Sequence, residues 1–184
     1  FEPAAALIPS ARNLSRRLTG TGNQALAYAI AFADAFNQHR RGRPLAALSI
    51  LDPILAGTPA ADAEAAKWLA IMRALAANAR SSIGEHRLAR AQAREAWLEA
   101  SDRLGRNHPF TIMARLWLIE ALVAASDPRG EVEIGNMLDD LQPRMADLSI
   151  VGILLTHMAL AFSATDEVEP MTRMVFERAL ATVQ

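Results

Sequence analysis

Arg41-Gly42-Arg43-Pro44 and Ile83-Gly84-Glu85-His86 decide how the chain is read. Each glycine stands between one apolar helical pattern and a second that opens on small residues. The two lie 42 residues apart, and the next period falls on Ser126, just before Asp127-Pro128. A period of this length belongs to stacked pairs of helices, which bury apolar faces against their neighbours rather than around one centre. Such an array offers a surface. It points to binding rather than catalysis.

The composition agrees with that reading. Hydrophobic residues make up 52% of the 184 and aromatics only 5%, so the core has to be built from Ala, Leu, Ile and Met. Alanine has the best helix propensity and lets helices approach closely, and no stretch alternates as a half-buried strand would. The expected class is all-α. The net charge of −1 gives no global basic field for a polyanion, so this domain is not expected to bind nucleic acid. Arg12, Arg16 and Arg17, and Arg40, Arg41 and Arg43, read as solvated helix ends and loops. With no cysteine, disulfides, thiol nucleophiles and Cys-based zinc sites are excluded. The uncharged run from Leu148 to Ala164 carries Ser149, Gly152, Thr156, His157 and Ser163. It falls short of the roughly 20 apolar residues a span needs and reads as a buried soluble helix. No membrane insertion is expected. The opening Phe1-Glu2-Pro3 reads as a domain of a longer protein. The expected location is the cytoplasm, or the periplasm if a membrane span precedes the domain.

Residues 1–22 read as an entry helix with a hinge at Gly20-Thr21-Gly22, and 23–184 as the repeat domain. Prolines mark most helix starts, because the first helical position has no use for its N–H. Pro44, Pro59, Pro109, Pro128 and Pro170 take that place, with Thr58, His108 or Asn107, and Asp127 as N-caps. The pattern predicts helices over about 23–39, 44–56, 59–81, 86–104, 109–125, 128–142, 146–163 and 168–183. Pro53 should kink or shorten the second. Eight helices joined by short turns make four antiparallel hairpins.

The second helix of each pair resembles that of a tetratricopeptide repeat. Gly42, Ala47, Leu51 and Ile54 fit its Gly-x-x-x-x-Ala-x-x-x-(aromatic or Leu) spacing, as do Gly84, Ala89, Ala93, Ala96 and Trp97. Phe176, Ala179 and Leu180 match its last part. Leu104-Gly105-Arg106-Asn107-His108-Pro109-Phe110-Thr111 is similar to the Leu-Gly-x-x-His-Pro-x-Thr linker of the longer repeats found in kinesin light chains and many bacterial regulators. Where that type carries paired asparagines that hold a peptide backbone, this chain has Leu116 and Trp117, and its third repeat has Glu131 and Gly135 at packing positions. The resemblance implies a right-handed solenoid of about four hairpins behind a short N-terminal capping helix. It also implies a concave face lined by the first helix of each pair.

No constellation for catalysis stands out, and no enzyme, metal site or cofactor is expected. The four histidines are scattered, with no His-Glu-x-x-His helix, and there is no Gly-x-Ser-x-Gly turn. Asp139-Asp140 and Glu131/Glu133 read as a solvated outer face. The residues expected to line the concave side are Phe32, Phe36, His39 and Arg40, then Ile71, Leu75, Asn78 and Ser82. Met113, Leu116, Trp117 and Glu120 follow, and His157 completes the set. Trp117 and Arg40 stand out among them, since Trp and Arg are enriched at binding hot spots. The expected function is a protein- or peptide-binding scaffold, with a ligand-sensing domain of a bacterial transcription regulator or signalling protein as the alternative. Met171, Met174, Val175 and Phe176, on an uncapped last pair, suggest self-association as a homodimer.

Overall fold

Gly42, Gly84 and Ser126 end three helices in the same way. In the computed structural model, which describes residues 24–57 and 60–141, Gly42 has φ +70°, Gly84 φ +87° and Ser126 φ +51°. At each, the residue itself and the next one turn their N–H groups back onto the last turn. Gly42 N–H donates to His39 O and Arg43 N–H to Gln38 O. Gly84 N–H donates to Ser81 O and Glu85 N–H to Arg80 O; Ser126 N–H donates to Val123 O and Asp127 N–H to Leu122 O. This is the Schellman arrangement, which satisfies carbonyls that the helix end leaves without partners. The 42-residue period is thus a repeated stop signal. Its third instance is the only non-glycine among the described residues with positive φ.

Six helices and no strand occur among the described residues: α1 (Gln24–Arg40), α2 (Pro44–Leu55), α3 (Ala63–Ser82), α4 (His86–Leu104), α5 (Pro109–Ala124) and α6 (Arg129–Leu141). The class is all-α. Pro44 and Pro109 open their helices as expected. Before Pro109, His108 caps α5, with Phe110 N–H donating to its Nδ1 at 3.2 Å. Asp127 accepts from Arg129 N–H at 3.1 Å at the entry to α6. α2 stops at Leu55, two residues after Pro53.

One helix start differs from expectation. The sequence pattern places it at Pro59 behind a Thr58 cap, but α3 begins at Ala63 behind Asp62, whose carboxylate accepts from Ala65 N–H at 2.7 Å. Asp at this position satisfies an orphan N–H, and it outweighs the proline signal. Thr58 and Pro59 themselves lie outside the described residues. So do the entry segment, Leu148–Ala164 with His157, the two last expected helices and the proposed dimer residues of 171–176.

The chain divides into two units, Phe1–Ala121 and Leu122–Gln184. In the first, α3 is the centre. It packs against α1, α2 and α4, and α1 also packs against α2. Ala65, Ala66, Ala70, Ala74, Ala76, Ala77 and Ala79 are buried around its circumference, with Leu69, Ile71, Met72 and Leu75 between them. A helix apolar on nearly every side can exist only as a core element. α4 presents one narrow stripe of Ala89, Ala93, Ala96 and Ala100, all fully buried, while Leu88 and Leu98 face out. Small residues at i, i+4, i+7 and i+11 let α4 come close to α3. Thr111 ties α5 to this pair by donating its hydroxyl to Ala100 O at 3.1 Å. In the second unit, α6 buries Ile134 and Met137. Gly130 packs close to Val123, where a Cβ would come within 3.1 Å of the Val123 side chain.

Candidate functional site

α1, α3 and α5 meet along one seam, and side-chain contacts give their direction. Phe32 of α1 lies against Trp68 of α3, ring centroids 5.7 Å apart, and further along both helices His39 lies beside Asn78. Trp68 lies 5.2 Å from Phe110 of α5, and again further along, Asn78 donates to the Glu120 carboxylate. Phe32 and Phe36 reach α5 directly, at 6.3 Å from Phe110 and 6.4 Å from Trp117. Contacts that advance together on each pair mean that the three helices run the same way. Two of these pairs, Trp68 with Phe110 and Asn78 with Glu120, join residues 42 apart in sequence.

The seam has an aromatic part and a polar part. Phe32 and Phe36 stack at 5.8 Å, with Trp68 and Phe110 tilted against Phe32, and His108 edge-on to Phe110 at 5.4 Å. Such offset and tilted pairs add to the burial of the rings. Phe32, Phe36, Trp68, Phe110, His108 and Met113 are all half-buried, so the strip keeps one edge open. The polar part holds His39, Arg40, Asn78 and Glu120. Asn78 is only 6% exposed and its two neighbours are half-buried, while Arg40 is exposed.

Electrostatics in the polar part follow from burial. Desolvation pushes the Glu120 carboxyl up to about 7, against the smaller opposing effects of the Asn78 hydrogen bond and the Arg40 charge. Desolvation also lowers His39, opposed by the Asn78 side chain beside it and assisted by Arg40. His39 Nδ1 is buried with no partner. At the other end burial lowers His108 as well, with Lys67 adding to the effect and Glu64 opposing it.

Nine of the ten candidate residues therefore fall at or beside one seam, and His157 lies outside the described residues. Their roles are not equal. Leu75 is fully buried and Trp117 is 3% exposed; both belong to the apolar core, together with Ile71 and Leu116. A Trp inside the core supports the fold and offers no free face to a partner, so the hot-spot expectation for Trp117 does not carry over. Sequence reasoning misses Trp68 and Phe110. Each sits one turn before an expected residue, Ile71 or Met113, so continuing the same face by three residues would find them.

Among the described residues, no group of three or more His, Cys, Asp or Glu could hold a metal ion, and no helix is long and apolar enough to cross a membrane. A separate open cleft of about 410 Å³ lies between α2, α3 and α4, lined by Asp52, Leu55, Arg73, Arg80, Gln92 and Glu95. Its arginines are already engaged, Arg80 by Asp52 at 2.6 Å and Arg73 by Glu99. The chain matches no protein-family model, no curated protein and no solved structure.

Proposed function

We propose that this chain is a non-enzymatic scaffold module that binds a protein or peptide along the seam of α1, α3 and α5, within a tetratricopeptide-like solenoid of helical hairpins. One observation carries the reading. The first helices of three successive pairs run in one direction and leave a strip of half-buried rings open beside a polar cluster. Rings held by one another in fixed orientations need little ordering when a partner arrives, which favours binding. The repeated helix stop at 42, 84 and 126 and the alanine stripe of α4 support the solenoid part of the proposal.

The test uses the full-length protein and co-purification of its partner. Arg40→Ala and Phe36→Ala should each reduce recovery of the partner, with the fold checked by circular dichroism. Leu98→Ala, on an exposed position of α4, should leave it unchanged. Equal recovery with all three variants would sink the proposal. The sensing alternative draws on the polar cluster, where titratable groups sit between helices. A small-ligand-dependent change in the seam, in the absence of any protein partner, would favour it.

A further inference from the structure

Asn78 stands where three helices meet, holding Glu120 of α5 with its amide and lying beside His39 of α1. Among the described residues the Asn78 amide is the one hydrogen-bond donor to the Glu120 carboxyl. A buried carboxylate normally keeps its charge only with several donors or a paired cation. Here the cation that acts on it, Arg40 of α1, does so through space from an exposed position and forms no ion pair with it. The charges of α3 are turned elsewhere: Lys67 to Glu64, Arg73 to Glu99, Arg80 to Asp52. Arg115 of α5 lies over Trp97 of α4, 5.2 Å from the ring centroid. Among the described residues, then, His39 and Arg40 are the charged or titratable groups facing this cluster from α1, and α3 contributes only the neutral Asn78.

His39 is in a similar position. Its Nδ1 is buried without a partner, so a proton placed there would find no acceptor. The cluster is therefore built for one protonation state on each side of Asn78.

We infer that it is a proton-operated clasp: with Glu120 protonated and His39 neutral it holds α1, α3 and α5 together, and ionisation of Glu120 loosens the seam. As a control on partner access the clasp rests on the binding proposal above. As a property of the fold it does not, so its test needs no partner and the two can fail separately.

The experiment is backbone hydrogen exchange of the full chain at pH 6 and pH 8, corrected for the intrinsic pH dependence of exchange. For a carboxyl that moves from about 4.5 to about 7 on folding, linkage gives roughly tenfold easier opening at the higher pH. Seam amides of α1, α3 and α5 should show that increase in full in His39→Gln and in reduced form in the wild type, where proton uptake by His39 in the open state offsets part of it at pH 6, and lose it in Glu120→Gln. No pH effect in the wild type, or the same effect in Glu120→Gln, would overturn the clasp. So would its loss in His39→Gln alone, which would assign the titration to the imidazole. If Glu120→Gln folds poorly, the carboxyl carbon shift of Glu120 in the wild type decides. It should titrate near pH 7, and a midpoint near 4.5 contradicts the proposal.

Discussion

Asn78 donates its side-chain amide to the carboxylate of Glu120, and the two residues occupy the same place in successive 42-residue periods. Trp68 and Phe110 repeat the relationship ten residues earlier on each helix. Periodicity in the sequence has become direct contact between equivalent positions. The helix ends at Gly42, Gly84 and Ser126 set that spacing, and the contacts and the ends each carry a measurable share of stability.

Glu120→Gln should stabilise the protein at pH 8 and leave it unchanged at pH 4. The folded carboxyl titrates at about 7, above its unfolded value of 4.5, so the folded state binds more protons between the two. Stability is complete below the unfolded value and is lost as the pH rises through 7. A neutral amide keeps an acceptor for Asn78 and escapes that loss, giving a gain on the order of 3 kcal/mol at pH 8. Urea unfolding at the two pH values measures it.

The burial of His39 acts in the opposite direction. Its value is lowered from 6.5, so the unfolded state takes up a proton first and stability falls as the pH drops below 6.5. His39→Gln should therefore narrow its stability gap to the wild type, or overtake it, on going from pH 7 to pH 5. A gap that widens toward pH 5 would mean that the ring gains a partner when charged.

Ser126→Gly should raise the thermal midpoint, by relief of about 0.5–1 kcal/mol of left-handed strain, partly offset by the greater freedom of glycine in the unfolded chain. Gly84→Ala should do the reverse and cost about 1 kcal/mol. At Gly84 an added Cβ would meet nothing within 4 Å, so the whole effect comes from φ +87°. Calorimetry of the pair separates backbone strain from packing.

Trp117→Ala should destabilise by about 3–5 kcal/mol, as expected for a large ring removed from a close-packed interior. Arg40→Ala should change stability by less than about 0.5 kcal/mol, since its side chain is exposed. Of these two, only Arg40 therefore serves as a clean probe of binding. Asp62→Ala should cost about 1 kcal/mol through loss of the α3 cap, readable in the same urea curves.

Much of the fold is legible in the chain. Helix stops can be read because Gly42 and Gly84 answer to a local rule, and starts at Pro44 and Pro109 because proline suits a first helical position. The start of α3 is not legible in the same way, because two local signals compete there and a carboxylate that accepts from Ala65 N–H beats the proline. The faces of α3 and α5 extend one turn beyond the residues that spacing singles out, since spacing marks a face without marking its ends. Nor does spacing tell which ring on a face is covered. Trp117 and Phe36 share the same seam, yet only Phe36 keeps an edge in solvent. That difference depends on contacts between helices 42 and more residues apart.

Site-specific photo-crosslinking in cells tests the proposed binding face most directly. A benzoylphenylalanine placed at Arg40, beside the seam, is compared with one at Leu98, half-exposed on α4. Both are carried in the full-length protein. If the seam is the binding face, position 40 captures a discrete partner and position 98 does not. Capture from position 98 alone, or equal capture from both, would place the partner elsewhere.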